Sequence, residues 1–254
     1  MMSRYNVWLD GVALSSLHPQ IYVSDIQYET PNINTSVMPI AKRAGALVTN
    51  RTQEKTTVTV LFELRIQGTA ERQAACENIT RWAMQGKILE TSDRTMKRLH
   101  IICAAPPAID SAMRWLNQLR IIFEAYTPPY WEDKTESTLT ISGTSASGTL
   151  YVPGNAGLAL VNAVVTPSAT ITSLSLTAGD YTISLSDISV TSSQTVKVAH
   201  DDNLFLSIKR GSTSLLNKRT GADDLLVECG KTSTFAITAS ASSSVTFKVR
   251  GLWL

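Results

Sequence analysis

Charge is scarce in this chain. Of 254 residues 17% are charged, and the basic and acidic side chains nearly cancel to a formal net charge of +2. That balance excludes a polybasic surface of the kind that holds nucleic acid or anionic lipid. Cysteine is scarcer still: Cys76, Cys103 and Cys229 are too few and too widely spaced for a disulfide framework or a zinc site, and they read as reduced thiols. The histidines His18, His100 and His200 are scattered, none in a metal-binding spacing or beside a nucleophile. Phosphate-cradling glycine loops, Gly-x-Ser-x-Gly elbows and calcium-loop patterns are all missing. The acidic pairs Glu132-Asp133 and Asp223-Asp224 have no partner at a useful spacing, and Asp201-Asp202-Asn203 reads as a turn. No catalytic, cofactor-binding or metal-binding residues emerge, so the expectation is a protein that is not an enzyme and carries no cofactor. Long apolar runs are also lacking. The longest, Leu158 to Val165, is interrupted by Asn162 and falls short of the roughly 20 residues a membrane helix needs. Asp10 comes too early for a signal-peptide core, so synthesis in the cytoplasm without membrane insertion is expected.

What is present is organised around Leu119 to Asp133. Leu119, Ile121, Phe123 and Ala125 alternate with Arg120, Glu124 and Tyr126, the period-2 pattern of a half-buried strand. Pro128 and Pro129 end it, because proline donates nothing to a ladder and holds its predecessor extended. Tyr130 and Trp131 follow, and composition changes at once. Charged residues number 28 in positions 1–134 and 16 in positions 135–254, while Ser and Thr make up 38 of the last 120. Tyr126, Pro128, Pro129, Tyr130 and Trp131 therefore mark a domain junction, with one domain over 1–132 and a second over 133–254.

In the first domain, Tyr5, Val7 and Leu9 alternate up to Asp10-Gly11, a tight hairpin turn. Ile21 and Val23 begin another strand, which extends to Ile26 if the pattern continues. Thr56 to Ile66 is the cleanest strand, with Val58, Val60, Phe62, Leu64 and Ile66 on one face. A helix then runs from the N-cap Thr69 to the stop Gly86, with Ala75, Ile79, Trp82 and Ala83 as its apolar stripe. Lys87 to Glu90 and Met96 to Cys103 pair as a hairpin, with Leu99, Ile101 and Cys103 inward. Met113 to Tyr126 closes the sheet. Five to seven strands are expected, with one helix. Between Glu29 and Lys55 the apolar residues Ile33, Val37, Met38 and Ile40 follow no sustained period. A loop of that length in a compact domain is uncommon. With Arg43 these residues are read as an arm that packs on another subunit, a covering flap being the alternative.

In the second domain, short alternating runs are separated by turn residues. They include Tyr181-Ile183-Leu185, Leu204-Leu206-Ile208, Phe235-Ile237-Ala239 and Val245-Phe247-Val249, and they argue for an antiparallel β-sandwich. Thr135 to Ser147 has the composition of a linker, but a strand at Leu139-Ile141 makes it one only in part.

The Asp10-Gly11 hairpin, the arm leading into Lys42-Arg43-Ala44-Gly45-Ala46, strand 56–66, helix 69–86, the Leu-Glu-Thr-Ser-Asp turn at 89–93, Phe123 to Tyr130, and a terminal Arg-Gly-x-Trp strand stand in one order. Together they resemble the distal tail protein (Dit) family of siphophages, the long-tailed, non-contractile bacteriophages. The resemblance implies a mainly β chain. Its N-terminal α+β, split-barrel-like domain would carry one helix, and a galectin-like C-terminal sandwich would follow. It further implies a homo-oligomer, a hexameric ring at the tail tip of the virion. Its partners would be the tail tube protein, a tail-associated tip protein and a receptor-binding protein, with DNA only in transit through the lumen. A carbohydrate-binding module is the rival reading. Against it, Tyr151, Tyr181 and Trp253 are the sandwich's Tyr and Trp residues and do not cluster in sequence, whereas a sugar platform needs aromatics together.

Overall fold

The computed structural model describes residues 5–29, 31, 33–40, 44, 46–107, 118–201 and 204–254, with the backbone alone at 49–52. The chain divides into two compact units, residues 1–131 with Leu254 and residues 132–253. It is mainly β, with one α-helix among the described residues.

The first unit opens with β1 (Val7–Leu9) and β2 (Val12–Ala13). Asp10 and Gly11 between them have φ of 49° and 81°, the pair of positive angles that a two-residue turn needs to match the twist of its strands. The Asp10 carboxylate accepts the N–H groups of Lys87 at 3.1 Å and Ile88 at 3.0 Å, tying the turn to a later strand. In order follow β3 (Ile21–Glu29), β4 (Ile33–Pro39), β5 (Ala46–Gln53), β6 (Thr56–Leu64), α1 (Thr69–Gln85), β7 (Ile88–Thr91), β8 (Lys97–His100), β9 (Ile102–Ala105) and β10 (Gln118–Ala125). One antiparallel sheet has the order β3–β6–β10–β9, and another carries β2–β1–β7–β8. The described strands of this unit number ten rather than five to seven, because β4 and β5 lack alternation and β2 and β9 are too short to show it.

Val58, Val60, Phe62 and Leu64 of β6 are wholly buried, as their alternation requires. Phe123 of β10 and Trp82 of α1 meet over this sheet edge to face, centroids 6.3 Å apart. In β3 the register slips between Val23 and Asp25. This bulge at Ser24 carries Ile26 onto the buried face despite its odd spacing from Val23. The helix cap is Gly68, with no side-chain bond, and Thr69 is the first helical residue, a correction of one position. Gly86 does end the helix, but at φ −70°. It must be glycine for space, since a Cβ there would lie 2.5 Å from Leu9 Cδ1. The strand expected over Met96 to Cys103 is two strands in two sheets. The chain changes sheet at buried Ile101, whose N–H bonds the Lys87 carbonyl, so Ile102 points to solvent and Cys103 is half-buried. Met113 to Leu116, the start expected for the last strand, lies outside the described residues.

The division between the units falls inside β11 (Trp131–Asp133). The second unit then carries β12 (Ser137–Val152), β13 (Leu158–Pro167), β14 (Leu174–Ala178), β15 (Tyr181–Leu185), β16 (Val196–His200), β17 (Leu206–Arg210), β18 (Thr213–Ser214), β19 (Arg219–Gly221), β20 (Leu226–Glu228), β21 (Lys231–Val249) and β22 (Leu252–Trp253). The apolar run from Leu158 is strand β13. Two expectations are corrected. Thr135 to Ser147 is not in part a linker: β12 takes it from Ser137 onward, well beyond the strand expected at Leu139-Ile141. Leu204 stands outside β17, in a turn at φ 62°.

The two long strands build the sandwich. Along one edge, β21 pairs with β14 through residues 235–239 and with β13 through residues 243–249. Along the other it pairs with β12 through residues 231–238 and 243–249. Phe235 and Phe247 are twelve residues apart, about 40 Å if β21 ran straight, yet their ring centroids are 5.1 Å apart. The strand therefore folds its two halves face to face. β12 does the same around Gly143, where its register with β21 slips; a Cβ on Gly148 would touch Leu139 and Ile141, at 3.4 and 3.1 Å. One layer is thus β17–β16–β13 with the second half of β21, and the other is β19–β15–β14 with the first half. Val161, Val165, Leu176, Ile183, Val198 and Ile208 fill the space between them.

Candidate functional site

The arm is a β-hairpin. Among the described strands β4 and β5 pair only with each other, Ile33 opposite Gln53 and Pro39 opposite Ala46, over about 23 Å at ordinary strand rise. Every described side chain in β4 is exposed. That explains why no period was legible: a ribbon with both faces in solvent has no buried face for alternation to mark. The register places Val37 opposite Val48 and Met38 opposite Leu47. Consecutive pairs point to opposite faces, so the ribbon is apolar on both. Their exposures are 60% for Val37, 58% for Met38 and 57% each for Leu47 and Val48, with Ile33 at 45% and Ile40 at 40%. Arg43 lies outside the described residues.

The feet of this ribbon meet the junction stretch, so the structure brings together two groups of residues singled out separately in the sequence. At one foot, Tyr28 at the end of β3 stands edge-on to Trp131, centroids 5.7 Å apart. The Arg94 guanidinium lies over both rings, at 4.5 Å and 4.9 Å, and Trp131 is 2% exposed. The Tyr28 hydroxyl donates to Asp93 Oδ1 at 2.6 Å and contacts Thr91 Oγ1 at 3.0 Å. Burial, and then the bond to Asp93, push this phenol well above its ordinary range. At the other foot, Lys55 pairs with Glu124, whose second oxygen accepts the Tyr126 hydroxyl. The bond from Lys55 raises the ammonium's pKa and holds the carboxyl low. The Thr56 hydroxyl donates to the Pro129 carbonyl. Tyr126 is exposed, while Pro128, Pro129 and Tyr130 are half-buried. Tyr28, Asp93 and Arg94 were missed by sequence reasoning, and the signal available was weak: a tyrosine at the last inward position of β3.

Among the described residues no three of His, Cys, Asp and Glu are grouped to hold a metal ion, and no described helix is long and apolar enough to cross a membrane. Burial raises the thiols of Cys76, Cys103 and Cys229, which keeps them neutral. His18 contacts Glu71 at 3.1 Å, and His200 bridges Asn162 at 2.9 Å and Asp224 at 3.1 Å, a structural use within the second unit. Of the sandwich aromatics Tyr151 is exposed, whereas Tyr181 and Trp253 are half-buried, with Trp253 donating to Asp133 at 2.9 Å.

Compared with solved structures, the chain superposes along nearly its whole length on the Dit protein of phage SPP1. That protein's crystal structure is described as a paradigm of the hub adsorption apparatus in Gram-positive infecting phages. The TM-score is 0.69 at 13% identity, covering 97% of this chain and 98% of that one. The chain has the distal tail protein fold. Two structures of the phage p2 baseplate in its activated conformation agree. One, with strontium, gives a TM-score of 0.53 at 11% identity over 97% of both chains; the other, with calcium, gives 0.53 at 11% over 99% and 98%. No family model and no curated protein sequence matches. At such identities the distal tail fold is carried by burial pattern rather than by retained residues. Strand β6, for instance, needs only apolar side chains at alternate positions.

Proposed function

We propose that the chain is a structural component of a phage tail tip, a hub that closes into a ring of six through the first unit. The observation that carries this reading is the distal tail fold over 97% of the chain. The β4–β5 ribbon supplies the chemistry for ring closure. A two-stranded ribbon is marginal alone in water, and apolar side chains exposed on both faces indicate a surface that is covered on assembly. Covering the exposed halves of Ile33, Val37, Met38, Ile40, Leu47 and Val48 is worth about 1 kcal/mol each, so on the order of 6 kcal/mol per contact before association costs. A head-to-tail contact of this kind closes a ring. Such a hub joins the tail tube protein to a tail-associated tip protein, lets DNA pass through its lumen, and offers the second unit to a receptor-binding protein. The protein acts by assembly and not as an enzyme.

The double variant V37D/M38D tests the contact. It places carboxylates on both faces of the ribbon without touching the cores of either unit. The unaltered protein is expected to reach at least six chain masses by light scattering, as one ring or a pair of rings, and the variant to stay below six with unchanged circular dichroism. Six-chain particles from the variant would remove the ribbon from the interface.

A further inference from the structure

The second unit has an edge that the ring does not explain. β12 runs for sixteen residues and pairs with β21 along one side only, and no described strand pairs with its other side. Natural edge strands of this length are blunted by charge, proline or covering elements. Here no charged residue occurs between Glu136 and Asp180, and β12 contains no proline. The sandwich is also open along this edge. Leu139, Ile141 and Leu150 point inward but are only half-buried, whereas Val161, Val165, Phe235 and Phe247 are buried.

The geometry points to a second copy of this chain as the occupant, through antiparallel pairing of β12 with β12 about a two-fold axis at Thr140. The segment Thr138-Leu139-Thr140-Ile141-Ser142 is self-complementary in that register. Inward Leu139 falls opposite Ile141 of the second copy, outward Thr138 opposite its Ser142, and Thr140 opposite Thr140. A one-residue slip would set Leu139 against a threonine and turn one copy's apolar face to solvent. The outward hydroxyls are already spaced for such a ladder: Thr140 meets Thr246 at 2.9 Å and Ser142 meets Ser244 at 3.0 Å across β12 and β21. A second β12 continues the same rows by one strand, with no charge to desolvate. The pairing is isologous and separate from head-to-tail ring closure, so it stands or falls independently of the ribbon.

Cysteine substitution in the full-length protein tests it. In T140C the two thiols face one another across the axis at about 5 Å between Cβ atoms. Diamide, reduced to its hydrazine, takes up the two electrons and two protons released as the disulfide forms. In the control T246C the thiols stand one strand further from the axis on each side, about 14 Å apart and beyond disulfide reach. Disulfide-linked pairs from T140C are expected in at least about tenfold higher yield than from T246C or the unaltered chain, whose own thiols are buried or half-buried. T140K, which sets two ammonium groups opposite each other on an exposed face, is expected to halve the solution mass of the unaltered protein without loss of folding. Equal yields from T140C and T246C, or a mass unmoved by T140K, would overturn the proposal; an edge that is vacant or filled by another protein's strand gives that result.

Discussion

Replacing Trp131 by alanine removes the largest fully buried side chain among the described residues. The ring is edge-on to Tyr28 and roofed by Arg94, so its loss acts three ways. Vacating a buried tryptophan costs about 3–5 kcal/mol in transfer and cavity terms. The edge-to-face pair adds about 1 kcal/mol, and Arg94 loses one of the two faces it covers, about 1 kcal/mol for a partly desolvated guanidinium. These overlap, so a loss of about 4–5 kcal/mol is expected for W131A. W131F, which keeps an aromatic edge for Tyr28, should lose about half as much. Guanidinium unfolding followed by tryptophan-independent circular dichroism measures both. R94A supplies the cycle: its cost in the unaltered protein should exceed its cost in W131A by about 1 kcal/mol, the coupling expected of groups in contact. A loss under 1 kcal/mol for W131A, or additive losses with R94A, would refute the view that this cluster fixes the junction to the foot of the ribbon.

Three further outcomes follow from the same coordinates. Because the Tyr28 phenol titrates higher folded than its usual value near 10, the native state keeps a proton that the unfolded chain has released. Stability contributed by Tyr28 is complete below about pH 10 and is then lost at about 1.4 kcal/mol per pH unit as pH rises towards the folded value; Y28F should flatten that alkaline slope in pH-dependent unfolding, and an unchanged slope would contradict it. Gly154 sits at φ 123°, and a Cβ there would stand 2.2 Å from the Leu252 carbonyl oxygen, so G154A should lower the second unit's stability by more than about 2 kcal/mol in thermal unfolding. V37D/M38D should leave the unfolding midpoint within about 0.5 kcal/mol of the parent under dissociating conditions, since both positions are exposed.

How much of this was legible depends on which faces are buried. Val58, Val60, Phe62 and Leu64 announced β6 because one face of it is core and the other is not. The Asp10-Gly11 turn announced itself because few residue pairs tolerate two positive φ angles. β4 and β5 gave no such signal, both faces being wet, and only the stranded apolar residues drew attention to the segment. β12 was legible only in part, and the rest hid behind its hydroxyls: a half-buried edge strand of Ser, Thr and Gly has the composition of a linker. In β21 the small polar stretch from Ser240 to Ser244 separates the two alternating runs read in the sequence, and physically it is the bend that sends one strand through both layers. Ile26 needed the bulge at Ser24, which no pattern of side chains specifies. The convergence of Tyr28 and Trp131 is a tertiary event across more than a hundred residues, with nothing local to reveal it.

The most direct test of the tail-hub reading is imaging of the purified full-length protein by negative-stain electron microscopy, with its mass determined on the same sample. Six-fold rings with a central hole, built from six chain masses or pairs of such rings, are the expected result. Single particles of one chain mass at every concentration, in protein whose circular dichroism shows it folded, would contradict it.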